Sequence, residues 1–149
     1  MPSSWTQNYY HVVFGTKHRE PLISDELRER LIRFIGGIAR DLRCSLLECN
    51  GMSEHIHLLV RFPPDVAPSV MVGNIKSRSS RWMRRELGKA KFTWQRGYGG
   101  FTVSRSAMED VAEYIRRQQS HHRKMTFEQE FVRLLDKHGI EYDPRFLFD

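Results

Sequence analysis

Two histidines separated by one residue, His55 and His57, are the residues of this sequence best spaced for chemistry. The Leu-Leu-Val run that follows them favours β structure, so we expect both histidines on one strand. Side chains alternate faces along a strand, which puts the two imidazoles about 7 Å apart on one face and Ile56 in the core. Such a pair can hold one divalent cation or one phosphate. The alternative is one solvated histidine and one core histidine bonded to a neighbour.

A tyrosine and a glutamine four residues apart, Tyr114 and Gln118, form a second candidate pair. They are neighbours on one face if the segment is helical, and His121 and His122 follow about one turn later. The two strand histidines and the Gln118 amide would be three neutral ligands that leave the full charge of a divalent ion for an anionic substrate. A tyrosine one turn from the third ligand would suit attack on phosphorus, although its pKa of about 10 keeps it protonated at neutral pH.

Composition sets the class of protein and of partner. The 149 residues, of which 40% are hydrophobic, predict one globular domain with a substantial core. The 24 Lys and Arg residues outnumber the 18 Asp and Glu residues and give a net charge of +6, which favours a polyanionic partner, nucleic acid above all. No apolar run or signal pattern suggests secretion or membrane insertion, so we expect a cytoplasmic protein with no membrane partner.

The elements that must position these residues follow from periodicity and turn signals. A strand, a helix and an antiparallel strand pair are half of a ferredoxin-like sandwich, which predicts an α+β fold with helices on the faces of an antiparallel sheet. Asn50-Gly51 indicates a hairpin turn, and Ser106 to Glu109 and Thr126 to Gln129 are capping boxes that open helices. The predicted strands are 8–16, 45–49, 55–62, 92–94 and 101–103, and the first two helices are 25–42 and 70–87.

The helix over 70–87 has a basic face that suits a phosphate backbone. We expect DNA contacts from Lys76 and Arg78 first, and from Arg81 and Arg85 beside them. The alternative is a solvated face without a partner.

Four ordered blocks of this sequence resemble one enzyme family. His55-Ile56-His57 matches the HUH motif (His, hydrophobic residue, His). Residues 51–54 before it resemble the Met-Pro-Asp that commonly leads into the motif, although Ser53-Glu54 stands where Pro-Asp is usual. Residues 94–104 and 114–122 are further block matches. Over essentially its whole length the chain is similar to the single-tyrosine HUH transposases of bacterial insertion sequences.

This resemblance implies a ferredoxin-like (RRM-like) core with the two histidines on a central strand. It implies that Tyr114 is the nucleophile, that Gln118 joins His55 and His57 as the third metal ligand, and that the ion is Mg²⁺ or Mn²⁺. The reaction would cleave single-stranded DNA at hairpin-flanked element ends and leave a 5′-phosphotyrosine and a free 3′-OH. Two alternatives stay open, namely a domesticated binder without activity and a metal-dependent nuclease that uses activated water.

The resemblance also implies a homodimer in which the tyrosine helix can complete the partner's site, with 97–100 as a flexible connection. The single domain would comprise a core over about 8–104, the tyrosine-bearing and C-terminal helices over about 106–138, and a short tail to 149. His121 and His122 are expected to contact phosphate or solvent rather than metal. Glu54 could orient a ligating imidazole, although strand alternation places it facing away from His55. The tyrosines without an amide partner at helical spacing are assigned to packing or DNA stacking, and they are Tyr9, Tyr10, Tyr98 and Tyr142.

Overall fold

A four-stranded antiparallel sheet is the centre of the computed structural model, which describes residues 4–88 and 91–148. The strand order is β2-β3-β1-β4, so the βαββαβ chain order gives the predicted ferredoxin-like arrangement. The strands are β1 (Asn8–Gly15), β2 (Ser45–Gly51), β3 (His55–Phe62) and β4 (Gly99–Val103). The α-helices are α1 (Asp25–Asp41), α2 (Pro68–Leu87), α3 (Met108–Arg116), α4 (Gln118–His121) and α5 (Phe127–Lys137). Three 3₁₀ turns span Lys17–Arg19, Arg105–Ala107 and Pro144–Phe146.

Helices cover both faces of the sheet, and the alternation of β1 and β3 decides what each face holds. Val12, Phe14 and Ile56 point into the main core, where α1 and α2 pack. Val13 lies on the other face, against Phe101 and the aromatic residues of α5. His55 and His57 share this second face, because Ile56 between them points to the first. The layer formed by α3, α4 and α5 therefore covers the two histidines.

The first helix begins and packs as its sequence predicts. Ser24 caps it, since the Ser24 hydroxyl accepts a hydrogen bond from the Leu27 amide at 3.2 Å. Its apolar stripe is buried against the sheet and comprises Leu27, Leu31, Ile35 and Ile38.

Several local predictions were wrong because tertiary pairing outweighs turn signals. Asn50 and Gly51 do not turn; they end β2 and pair with His57 and Ile56, so the hairpin turns at 52–54. Gly99 and Gly100 are not a flexible connection, because they pair with β1 inside β4. Residues 92–94 form no strand beyond a single bridge from Trp94 to Thr16. The predicted capping box at Ser106 is replaced by a 3₁₀ turn without a side-chain cap.

None of the helices in the described part of the chain has the length and apolar character that crossing a bilayer requires.

Gly51 has a steric role beside the histidine strand. A Cβ at this position would overlap the carbonyl oxygen of His55 and press on the Ile56 backbone. We therefore expect Gly51→Ala to lower the free energy of unfolding by about 1–3 kcal/mol, measured by urea unfolding followed by circular dichroism.

Gly73→Ala is the matched control. Gly73 lies on α2 with no atom within 4 Å of an added Cβ, so the same change should raise stability by about 0.5–1 kcal/mol. Equal stability of the two variants would contradict the steric role of Gly51.

Candidate active site

Three histidines and one glutamate converge on a common point beneath α4 and α5. They are His55 and His57 from β3, His122 just after α4, and Glu130 from α5, and their ligand atoms all lie within 4.8 Å of one another. His55, His57 and Glu130 are at most 1% exposed. Polar side chains this deeply buried need partners, and in this cluster each of them has one.

Glu130 is the centre of the cluster. Its Oε1 lies 3.3 Å from His55 Nε2, 3.0 Å from His57 Nε2 and 2.8 Å from His122 Nε2. Gln118 joins them, because its Oε1 lies 3.0 Å from the Nε2 atoms of both His55 and His122. Ligands about 2.1 Å from one octahedral ion lie about 3 Å from each other, so these donor atoms have the spacing that a divalent ion needs. The cluster can therefore bind a divalent metal.

Each histidine presents Nε2 to the centre because its Nδ1 has a partner farther out. Such outer hydrogen bonds fix the ring orientation and the tautomer of a ligating imidazole. The partners are His11 Nε2 at 2.9 Å for His57, Glu54 Oε1 at 2.6 Å for His55, and the Met125 carbonyl oxygen at 2.8 Å for His122.

The start of α5 brings Glu130 into the cluster. The predicted capping box is confirmed, since the Thr126 hydroxyl accepts from the Gln129 amide at 3.1 Å and the Gln129 side chain accepts from the Thr126 amide at 2.9 Å. Phe127 and Phe131 then pack into the second core, and Phe127 stacks on the His55 ring with centroids 4.3 Å apart. Glu130 shares this inward face and so reaches the histidines.

Tyr114 approaches the same carboxylate from α3. Its hydroxyl donates to Glu130 Oε2 and lies 3.4 Å from His121 Nε2. The predicted continuous helix is interrupted at Arg117, whose backbone leaves the helical region and separates α3 from α4. The Gln118 side-chain amide nevertheless donates to Glu130 Oε2 at 3.0 Å, so Tyr114 and Gln118 meet at one oxygen.

Contacts across β2 hold α3 in this position. The Asn50 amide donates to the Ile115 carbonyl oxygen at 3.0 Å, and Arg116 pairs with Glu48 at 2.8 Å. Because Asn50 is also paired with His57 across β2 and β3, α3 is tied directly to the histidine strand.

Burial and charge set opposite protonation states for Tyr114 and Glu130. Burial raises the pKa of Tyr114, and the neighbouring Glu130 carboxylate raises it further, so the phenol is protonated at neutral pH. Burial favours a high pKa for Glu130, but its hydrogen bonds to the three cluster histidines outweigh burial and hold that pKa well below the usual range. The pair is therefore a neutral phenol that donates to an ionised carboxylate.

The two strand histidines also differ in charge. Burial lowers the pKa of His55, but hydrogen bonds to Glu130 and Glu54 overcome it and raise the pKa to about 9. Burial dominates at His57 and lowers its pKa to about 4. The raised pKa favours a protonated His55 beside the Glu130 carboxylate, and a divalent ion bound there would compete with that proton.

The structure brings four of the predicted site residues together and leaves the others apart. His55, His57, Tyr114 and Gln118 all lie at the cluster. The basic residues of α2 do not, since α2 packs on the opposite face of the sheet. Lys76 Nζ donates to the carbonyl oxygens of Gln95, Arg96 and Gly97 at 2.7–3.0 Å, Arg78 pairs with Asp41 at 2.8 Å, and Arg81 and Arg85 are exposed.

Sequence reasoning missed Glu130 and favoured other positions for His122 and Glu54. His122 lies in the cluster rather than at phosphate or solvent. Glu54 contacts His55, because it lies in the turn before β3, where strand alternation does not apply. Glu130 was not predicted, yet a signal exists, since it is a carboxylate on the apolar helix face of Phe127, Phe131 and Leu134.

The model of the IS200-like transposase family matches residues 4–118 of this chain. The chain belongs to this family. It is 32% identical over 119 residues to the transposase for insertion sequence element IS200 of Salmonella typhimurium, an alignment that covers 73% of this chain and 75% of the relative. Members of the IS200-like family are transposases, and this chain is accordingly a DNA strand transferase. The family match ends at Gln118, before His122 and Glu130.

Solved structures agree with the fold of this IS200-like transposase. A Deinococcus radiodurans protein described as a transposase superposes with a TM-score of 0.64 at 23% identity, over 79% of this chain and 95% of that chain. A REP-associated tyrosine transposase bound to a REP hairpin superposes with a TM-score of 0.62 at 15% identity, over 82% of this chain and 73% of that chain.

Metal affinity should depend on the Glu130 charge. Glu130→Gln keeps the shape of the side chain but removes the negative ligand. We expect Mn²⁺ affinity, measured by titration calorimetry, to fall by a factor of at least about 10–100, which is the loss caused by removing a group that hydrogen-bonds to a metal ligand. Glu128→Gln is the control, because Glu128 pairs with Arg19 outside the cluster at 3.3 Å. Unchanged affinity in Glu130→Gln, with loss in His55→Ala, would show that Glu130 is not a ligand.

Proposed function

We propose that this transposase cuts and rejoins single-stranded DNA through a covalent 5′-phosphotyrosine at Tyr114. The observation that supports the proposal most directly is the hydrogen bond from the Tyr114 hydroxyl to Glu130, whose other oxygen faces three imidazoles. The Glu130 carboxylate therefore contacts the Tyr114 nucleophile with one oxygen and the metal-binding cluster with the other. A purely DNA-binding protein has no need for this combination.

The chemistry of the step follows from these residues. The Tyr114 oxygen attacks phosphorus and forms the Tyr–O–P bond, while its proton leaves along the hydrogen bond to Glu130 Oε2 and passes on to solvent, because the lowered pKa of Glu130 does not let it keep the proton. The bond from phosphorus to the 3′-oxygen breaks, and that oxygen takes a proton from solvent water and departs as a free 3′-OH. Rejoining reverses the sequence, with the 3′-OH as nucleophile and Tyr114 as leaving group. His121, 3.4 Å from the Tyr114 hydroxyl and partly exposed, lies between this proton and solvent.

The metal-binding residues in this proposal are His55, His57, His122 and Glu130, with Gln118 beside them. A divalent ion bound there would polarise the phosphate and stabilise the charge of the leaving oxygen. We propose Mg²⁺ or Mn²⁺, on the basis of the family resemblance and of the carboxylate and amide oxygens in the donor set, whereas the imidazoles alone would also suit softer metals.

The substrate and assembly are part of the proposal. A structural neighbour is a tyrosine transposase bound to a hairpin, which supports hairpin-containing element ends as the DNA partner of this chain. We propose that the protein works as a cytoplasmic homodimer. Lys76, Arg78, Arg81 and Arg85 stay predicted DNA contacts, and on α2 they would touch DNA remote from the scissile phosphate.

A covalent protein–DNA adduct is the direct test of the tyrosine. Incubation with labelled single-stranded DNA from the element ends and Mn²⁺ should give a slow band on a denaturing gel, and Tyr114→Phe should remove it because the attacking oxygen is gone. Tyr142→Phe is the control, since the Tyr142 hydroxyl bonds to Asp136 and is remote from the cluster.

Two other outcomes would contradict the proposal. Cleavage without an adduct, unchanged in Tyr114→Phe, would indicate a nuclease that uses activated water. Binding without cleavage under any divalent metal would indicate a domesticated binder.

Each site should work with the tyrosine of its own chain. Tyr114 and the cluster belong to one chain, and α3 is anchored to β2 of that chain. We therefore expect a mixture of Tyr114→Phe protein and His55→Ala/His57→Ala protein to form no adduct above the level of either variant alone. Restored adduct formation in the mixture would show that the tyrosine helix is exchanged between protomers.

A further inference from the structure

A groove of about 750 Å³ opens beside Tyr114, between α3, the turn after α4, and α5. Tyr114 and His121 line its inner end, so the groove leads from solvent to the attacking hydroxyl. Four cationic side chains surround it, and they are Arg117, Arg123, Lys124 and Arg133. None of these cations takes part in the catalytic arrangement described above.

The charge of the groove is mainly uncompensated. Its two carboxylates are Asp110 and Glu113, and Glu113 already pairs with Arg116 at 3.0 Å and Arg117 at 2.6 Å. Within residues 4–88 and 91–148, no carboxylate lies within 4.0 Å of Arg123, Lys124 or Arg133. Exposed cations left without internal partners are available to phosphate.

The turn that carries Arg123 and Lys124 lies between two openings. Both residues also line a second groove of about 550 Å³, together with the cluster residue His122 and with Arg19, which pairs with Glu128 at 3.3 Å. One groove therefore reaches the tyrosine side of the cluster and the other reaches the histidine side. Arg123 and Lys124 line both grooves.

We propose that these cations bind the DNA phosphates that flank the scissile phosphate, with Arg123 and Arg133 as the principal contacts on the tyrosine side. The inference rests on the proposed function and names where its substrate lies. It places the reacting strand on the α3–α5 side of the sheet, whereas α2 is on the opposite face and has two of its predicted contact residues engaged internally. A short single strand of DNA that spans only the cleavage site should then bind without contacting α2.

The test compares pairs of arginine substitutions in a Tyr114→Phe background, which prevents cleavage. Binding of a fluorescein-labelled single-stranded 12-mer of mixed sequence is followed by anisotropy at several salt concentrations. Arg123→Ala/Arg133→Ala should weaken binding about tenfold near 0.1 M salt and reduce the slope of log K against log salt by about 1.4, since each phosphate contact contributes about 0.7. Arg123→Lys/Arg133→Lys should restore the slope, because it restores the charge.

Two matched double variants decide between surfaces. Arg33→Ala/Arg40→Ala removes two exposed arginines from α1 and should leave the affinity and the slope unchanged. Arg81→Ala/Arg85→Ala removes two from α2 and should behave like that control with this short probe. A loss of slope in the α2 variant alone, or equal losses in all three, would overturn the proposal.

The outcome is separable from the covalent chemistry. If the adduct forms at Tyr114 but Arg123→Ala/Arg133→Ala binds the 12-mer normally, only the assignment of the groove to DNA binding is contradicted. If that variant binds the 12-mer weakly and the protein with Tyr114 intact forms no adduct, the groove assignment is supported and the tyrosine mechanism is contradicted.

Discussion

A buried carboxylate surrounded by three imidazoles is the interaction on which the site depends. Taking a carboxylate out of water costs several kcal/mol unless other groups compensate it, and the histidines compensate Glu130 Oε1 while Tyr114 and Gln118 donate to Oε2. The capping box of α5, the aromatic packing of Phe127 and Phe131, and the outer hydrogen bonds to the imidazoles all serve this arrangement. The sheet supplies a rigid strand for two of the three histidines.

Glu130 also changes the electrostatics of the centre. Neutral ligands would leave a divalent ion with its whole charge, whereas one carboxylate reduces the total to a single positive charge. A phosphodiester carries one negative charge, so the loaded centre and its substrate would be electrically matched. The same carboxylate keeps the Tyr114 phenol protonated, because a tyrosinate next to it would be strongly disfavoured.

The fold and half of the site could be predicted from the sequence. Alternation along β1 and β3 identified both faces of the sheet, and helical spacing identified the stripe of α1, because these elements are long and strongly periodic. The turn at Asn50-Gly51 was wrong because Gly51 is required for close pairing with β3, a demand that only the folded sheet makes. Glu130 was not predicted because its partners His57 and His55 lie 73 and 75 residues away in the sequence, and no local pattern reveals contacts over that separation.

The position of Glu130 along the chain has a consequence for how related genes are compared. The family match stops at Gln118, so the histidine motif, the tyrosine and the glutamine all lie inside it, while the carboxylate and His122 lie beyond it. A gene copy interrupted just after Gln118 would still encode the histidine motif, the tyrosine and the glutamine. It would lack Glu130, the carboxylate that contacts all of them. Judging whether a mobile element is intact or decaying therefore requires inspection of α5 as well as of the motifs.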